Sequence, residues 1–188
     1  AKRHDGSFFL RIEDTDKQRS KQIYTDQILD SLKWLGLEWD EPLIYQSGRS
    51  DRYKHYLNIL LDEGKAYRCF CSKNDLEDNK KDSYALYKGT CRNLTSDEIK
   101  SKLNQGISFT IRIKLEEGVT VFDDLVYGSI STNNKELDDF IIARSDGSPT
   151  YNFTVVVDDY EMEISHVIRG DDHLSNTPKQ IIIYNNLE

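Results

Sequence analysis

Two apolar segments that each end in a dense cluster of charge constrain the fold of this chain more than any other feature. The first spans residues 10–16 and the second spans residues 167–173. In an open α/β sheet, ligands bind in the crevice beyond the carboxyl ends of the strands. The first cluster offers the carboxylates of Glu13 and Asp14, and the second offers Arg169 with further carboxylates. The two segments therefore predict two walls of one polar site, which suits a ligand with both an ammonium and an acid group, such as an amino acid.

The first part of the chain has the pattern of half an α/β sheet. Residues 8–12 alternate between apolar and polar side chains, which predicts a strand. Cap-type residues at 14–16 predict the start of a helix that closes at Gly36. Apolar side chains then recur at helical spacing over residues 48–63, and Gly64 is a good C-terminal stop for this second helix.

The pattern changes after residue 66 and returns near residue 149. Thr95 opens a short helix by its capping-box spacing, and strict alternation over residues 107–115 predicts a strand. A turn at residues 146–147 predicts a hairpin that leads into a strand over residues 150–157. Residues 166–168 predict another short strand, followed by a helix with Pro178 at an early position.

Composition limits the classes of function. No apolar run approaches the roughly 20 residues that span a bilayer, so we expect no membrane segment. A net charge of −8 argues against a protein that coats nucleic acid through bulk charge, although a local basic track stays possible. Three cysteines, with no visible signal peptide, favour a reducing compartment, and we expect a cytoplasmic protein.

The cysteines are candidate metal ligands. Cys69 and Cys71 can reach one ion from a bent strand end, and Cys91 follows later in the chain. Three thiolates and a fourth ligand make a closed tetrahedral structural site. No histidine lies between Cys69 and Cys91, so the fourth ligand must be another residue type. The alternative is three partly buried free thiols without a metal, because free cysteine is among the most buried residue types.

A series of motifs resembles the bacterial-type glutamyl-tRNA synthetases. The motif at the end of an early strand in that family matches residues 11–16. The archaeal, eukaryotic and glutaminyl enzymes tend to differ there, with Asp in place of Glu13 and Asn in place of Asp16. Further family motifs match, in order, residues 149–153, 156–159, 166–173 and 176–178. Several motifs in the right order, over essentially the whole chain, are far more specific than any one of them.

The resemblance implies an α/β fold, namely the class I synthetase nucleotide-binding (Rossmann-like) fold interrupted by an inserted α+β acceptor-stem-binding domain. Residues 1–66 and 149–188 would be two parts of the catalytic domain, and residues 67–148 the insertion with its zinc site. The family also carries two ATP-binding signatures, one like His-Ile-Gly-His and one like Lys-Met-Ser-Lys-Ser, and this chain has neither. We therefore expect a catalytic-core fragment, inactive alone, with one signature before Ala1 and the other after Glu188.

The implied activity is ATP-dependent ligation of L-glutamate to tRNA(Glu) through a glutamyl-adenylate, by a monomer that uses ATP with magnesium as substrate. The resemblance assigns the amino group of glutamate to Glu13, and its side chain to Tyr151 and Arg169. A guanidinium prefers a carboxylate to a neutral amide, which separates glutamate from glutamine. The structural alternatives are a helix-capping Glu13, a strand aromatic at Tyr151, and a salt bridge from Arg169 to Asp171 or Asp172.

The resemblance implies roles for further residues. Thr15 and Arg19 would lie beside the 3′ end of the tRNA. Asp172 and His173 would lie near the adenosine of ATP and the terminal tRNA nucleotide. A variant zinc site of the family uses three cysteines and one tyrosine, which implies structural zinc held by Cys69, Cys71, Tyr87 and Cys91.

Two other interpretations stay open. One is the truncated glutamyl-Q tRNA(Asp) synthetase-type paralogue, which attaches glutamate to a modified base and tends to have Leu at the position of Thr15. The other is a non-catalytic, zinc-stabilised RNA-binding module, which would have no affinity for glutamate.

Overall fold

The N-terminal part of the chain forms a strand–helix–strand unit with parallel strands. Strand β1 (Arg11–Ile12) pairs with β2 (Ile44–Tyr45), and helix α1 (Gln22–Trp34) connects them. The structure is a computed structural model that describes residues 1–15, 20–40, 42–72, 75 and 87–187. The strand predicted over residues 8–12 is shorter than expected. Just before β1, the amide of Asp40 donates to the carbonyl of Phe8 and the amide of Ile44 donates to the carbonyl of Leu10.

Helix α1 ends as predicted but begins differently. Gly36 adopts a left-handed conformation (φ 70°), and the amide of Leu37 donates to the carbonyl of Leu32, which closes the last turn. The helix starts at Gln22 after an N-cap, Lys21, that makes no side-chain capping bond. The prediction that residues 14–16 cap this helix is therefore wrong for the described positions among them.

The chain divides into two compact units, Ala1–Asp51 and Arg52–Glu188. The division falls in the first turn of helix α2 (Ser50–Asp62), which follows a short 3-10 helix (Gln46–Arg49). Among its described residues, the second unit contains a three-stranded antiparallel sheet in the order β3-β4-β7, a separate β5–β6 hairpin and, after α2, three α-helices. These elements are β3 (Ala66–Cys69), α3 (Ser96–Asn104), β4 (Thr110–Ile113), β5 (Val119–Asp124), β6 (Gly128–Asn133), β7 (Ile141–Ala143), α4 (Tyr151–Glu161) and α5 (Thr177–Leu187).

One apolar core holds the second unit together. Helices α2, α4 and α5 and the three-stranded sheet all contribute to it, and at about 25 cal/mol per Å² such burial is the main stabilising term. Its fully buried members include Leu60, Ile113, Ile142, Phe153, Val156 and Ile183. A smaller cluster, built around Tyr67, Cys69, Phe70 and Cys91, lies at the end of β3.

Two predicted strands in this unit are wrong. Residues 151–157 belong to helix α4, whose N-cap is Thr150, and residues 153–159 within it are all buried. Because that stretch has no exposed face, the spacing of its apolar residues does not separate a buried helix from a buried strand. Residues 166–168 form no strand, since they have no ladder partner among the described residues, and Ile168 is 99% exposed. Across the described ranges, no helix combines the length and apolar character needed to cross a membrane.

Candidate metal centre and active-site residues

The three cysteines converge where β3 ends. Cys69 is the last residue of the strand, Cys71 follows after Phe70, and Cys91 lies in the turn that precedes Thr95. Their sulfur atoms all lie within 4.8 Å of one another, and the sulfurs of Cys71 and Cys91 are 3.7 Å apart. Sulfurs that share a tetrahedral zinc at about 2.3 Å are separated by roughly 3.8 Å. The spacing therefore suits one ion.

The phenol of Tyr87 lies against the same three residues. Its oxygen is 3.3 Å from the sulfur of Cys69 and 3.9 Å from the sulfur of Cys71. It also accepts a hydrogen bond of 2.9 Å from the amide of Cys91. The cysteine spacing alone does not identify a fourth candidate ligand, and the fold brings the phenol of Tyr87 against the three cysteines.

Arg112 places a buried positive charge beside this cluster. It lies on β4, is only 6% exposed, and its guanidinium carbon is 3.9 Å from the centre of the Tyr87 ring. One of its terminal nitrogens donates to the carbonyl of Asp139 at 2.6 Å, and its Nε has no hydrogen-bond partner among the described residues. Thiolates and tyrosinate bind metals as anions, so a cation at this point fits a loaded, negatively charged site.

The pKa values of the candidate ligands are shifted in different directions. Burial alone would raise the pKa of Cys69, but hydrogen bonds with Tyr87, the Cys71 backbone and Arg112, together with the positive charge of Arg112, outweigh it and leave that pKa lowered. Burial, reinforced by the neighbouring sulfurs, raises the pKa of Cys71 to about 12. Burial and the hydrogen bond with Cys69 also raise the pKa of Tyr87. A bound cation would supply the charge needed to deprotonate the remaining ligands.

A buried carboxylate fixes the turn that carries Cys91. Asp139 accepts from Arg92 at 2.6 and 2.8 Å, from the hydroxyl of Tyr67 at 2.7 Å and from the amide of Leu115 at 2.9 Å. These bonds join the residue after Cys91 to β3 and to the ends of β4 and β7. The roles of Asp139, Arg92 and Arg112 could not be predicted from the sequence, because no local pattern distinguishes these residues from solvent-exposed charges.

Arg169 lies at the end of the extended segment that precedes a 3-10 helix (Asp171–Asn176). Its guanidinium donates to the side-chain oxygen of Gln180 at 2.7 Å and to the hydroxyl of Thr177 at 3.3 Å. In the part of the chain that the structure describes, no carboxylate pairs with Arg169. The alternative of a structural salt bridge to Asp171 or Asp172 is thus not found.

The other predicted residues of this unit lie at helix starts. Tyr151 is the first residue of α4 and is 48% exposed, so it is not a strand aromatic. Asp172 and His173 are exposed on the 3-10 helix, where a carboxylate oxygen of Asp172 is 3.6 Å from Nε2 of His173.

Glu13 belongs to the first unit, where it follows β1 and pairs with Arg11 at 3.2 Å. Its neighbour Asp14 accepts from both the amide and the hydroxyl of Ser47, at 2.8 and 2.6 Å. Asp14 thus holds the local structure, and Glu13 does not cap α1. Thr15 is exposed, and Arg19 lies outside the described residues.

Comparisons with known proteins agree on one family. The family model described as tRNA synthetases class I (E and Q), catalytic domain, matches residues 1–188. The chain is 52% identical to a glutamate–tRNA ligase of Coprothermobacter proteolyticus, over 98% of this chain and 41% of the relative. It is 50% identical to a glutamate–tRNA ligase of Aquifex aeolicus, over 98% of this chain and 40% of the relative.

Solved structures agree with this relationship. A glutamate–tRNA ligase from Elizabethkingia meningosepticum, crystallised in complex with its amino acid, is 31% identical with a TM-score of 0.87, covering 97% of this chain and 40% of that one. The chain spans about two fifths of the length of the curated relatives it matches. It belongs to the class I synthetase family whose catalytic domain is shared by the glutamate and glutamine enzymes.

Proposed function

We propose that this chain is part of the catalytic region of a glutamate–tRNA ligase, which joins L-glutamate to tRNA(Glu) at the expense of ATP. A single observation carries the proposal: the guanidinium of Arg169 is held by the neutral oxygens of Gln180 and Thr177, and no described carboxylate neutralises it. A partly buried cation held in this way is prepared for an external carboxylate. The family match and the similarity to glutamate–tRNA ligases support the same function.

Arg169 would bind the side-chain carboxylate of glutamate. The bonds to Gln180 and Thr177 occupy only part of its N–H donors, which leaves others for the substrate. A carboxylate forms a charge-assisted pair with these donors, whereas the amide of glutamine would leave the charge unmatched. The exposed phenol of Tyr151 would contact the same side chain, and the carboxylate of Glu13 would receive the substrate ammonium.

The reaction has two steps and needs no covalent enzyme intermediate. An oxygen of the α-carboxylate of glutamate attacks the α-phosphate of magnesium-bound ATP, and pyrophosphate leaves. A ribose hydroxyl of the terminal adenosine of the tRNA then attacks the glutamyl carbonyl, and AMP leaves. Positioning and charge neutralisation supply most of the rate in such a mechanism. Thr15, Arg19, Asp172 and His173 are the residues we assign to the nucleotide side of the site.

Residues 67–148 would form an acceptor-stem-binding insertion in a Rossmann-like domain made of residues 1–66 and 149–188. Within it, Cys69, Cys71, Tyr87 and Cys91 would hold zinc. Zinc there supplies shape to the insertion and takes no part in the chemistry. Three free thiols and a tRNA substrate fit a protein of the cytoplasm, where we expect it to act as a monomer.

The experiment uses the full-length protein that contains this chain. Glutamate-dependent ATP–pyrophosphate exchange and glutamylation of tRNA(Glu) are measured with tRNA present. Arg169→Leu should raise the KM for glutamate about 100-fold, with the KM for ATP unchanged. Arg52→Leu is the matched control, because Arg52 already has an internal carboxylate partner in Glu161.

Two results would overturn the proposal. One is the absence of any glutamate-dependent reaction in the wild-type protein, which would favour an RNA-binding module. The other is an equal loss of affinity for glutamate and ATP in Arg169→Leu, which would remove the role of Arg169 in glutamate binding, on which the proposal depends. Glutamate transfer to tRNA(Asp) instead of tRNA(Glu) would assign the chain to the paralogue.

A further inference from the structure

Gln180 links Arg169 to the first turn of the helix that begins with Tyr151. It lies on α5, is 5% exposed, and its side-chain oxygen accepts from Arg169 at 2.7 Å. Its side-chain nitrogen donates to the side-chain oxygen of Asn152 at 3.1 Å. Asn152 directly follows Tyr151 in the first turn of α4.

The network leaves Gln180 one orientation. Asn152 uses its own nitrogen to donate to the side-chain oxygen of Asn176 at 3.4 Å, so its oxygen is the atom that faces Gln180. Gln180 must therefore present nitrogen to Asn152 and oxygen to Arg169. Rotating this buried amide by 180° would be costly. Its nitrogen would then face the donor of Arg169, and its oxygen would face the acceptor of Asn152.

The helix supplies the second contact from the same face. Thr177 and Gln180 are three residues apart on α5 and are therefore neighbours on its surface. Together they offer Arg169 two acceptors, one for each terminal nitrogen. Neither acceptor is charged, so they orient the guanidinium without neutralising it. A carboxylate at position 180 would do both.

We infer that Gln180 is a positioning residue for glutamate selection: it orients Arg169 while leaving its charge for the substrate carboxylate, and ties it to the start of the helix that carries Tyr151. This inference rests on the proposed function. It assigns a specificity role to a residue that contacts no substrate itself.

The test compares two substitutions in the full-length protein, with steady-state KM and kcat measured for glutamate and for ATP. Gln180→Met keeps the length but removes the acceptor, and should raise the KM for glutamate about tenfold because Arg169 loses its alignment. Gln180→Glu adds an internal carboxylate that competes with the substrate, and should raise that KM about 100-fold. In both variants kcat and the KM for ATP should stay within about twofold of wild type. Gln105→Met, at an exposed glutamine, is the control.

A double-mutant cycle separates positioning from general packing. In the Arg169→Leu background, Gln180→Met should add no further increase in the KM for glutamate, because Gln180 acts through Arg169. The inference is overturned if Arg169→Leu raises the glutamate KM and Gln180→Met does not, or if the two effects are additive. Failure of the proposed function looks different, since the wild-type protein would then show no glutamate-dependent reaction.

Discussion

The guanidinium carbon of Arg112 lies 3.9 Å above the centre of the Tyr87 ring, and the Tyr87 phenol oxygen lies 3.3 Å from the sulfur of Cys69. The buried guanidinium of Arg112 therefore contacts the aromatic ring of Tyr87, which is a candidate metal ligand. The positive charge should offset part of the negative charge that three thiolates and a phenolate bring to one ion. Partners of this kind around metal ligands commonly change metal affinity about 10–100-fold.

We therefore expect Arg112→Met to weaken zinc binding by the full-length protein about 10–100-fold, measured by competition with a chromophoric chelator. Arg68→Met is the matched control, because the Arg68 guanidinium lies over the ring of Phe109, at 5.6 Å, and not over a candidate ligand. Equal zinc affinity in wild type and Arg112→Met would remove the role assigned to this arginine.

Cys69 should couple metal content to stability. It is buried at the end of β3, and its sulfur lies among the other candidate ligands. Cys69→Ser should leave the full-length protein with substoichiometric zinc by elemental analysis and should lower its melting temperature. Chelation of the wild-type metal should lower the melting temperature by a similar amount. Zinc-free wild-type protein that melts at an unchanged temperature would contradict a structural metal.

Structural features that depend on residues close together in the chain could be predicted from the sequence. Thr95 and Glu98 form the capping box that their spacing indicates, and α2 ends before Gly64 as expected. The helix over residues 151–161 could not be predicted, because its middle is buried on every side and shows no helical period. The same limit applies to the candidate site: the motif residues stand out locally, whereas Arg112 and Asp139 gain their roles only from contacts between distant segments.

Asp139 should be among the most sensitive positions in the second unit. The Asp139 carboxylate pairs with Arg92 and accepts hydrogen bonds from Tyr67 and Leu115. Asp139→Asn keeps the shape of this side chain but removes its negative charge. Breaking a buried pair on one side costs about 3 kcal/mol, because the remaining charge is uncompensated. Chemical denaturation measures the loss. Glu117→Gln, which breaks the exposed pair with Lys135, should cost less than about 1 kcal/mol, and similar losses for both variants would refute the argument.

The capping box of α3 should make stability depend on pH. Hydrogen bonds from the amide and hydroxyl of Thr95 lower the pKa of Glu98 in the folded state. A carboxyl whose folded pKa lies below its unfolded value stabilises the protein at pH above the unfolded value, near 4.5. That stabilisation is lost as the pH falls through the folded pKa.

Glu98→Gln should therefore melt at a lower temperature than wild type at pH 7, and the two melting temperatures should converge as the solution is acidified below about pH 4. Asp97→Asn on the same helix is the control, since Asp97 has no part in the capping box. A gap between wild type and Glu98→Gln that stays constant from pH 7 to pH 3 would show that the carboxylate charge of Glu98 has no role in the cap.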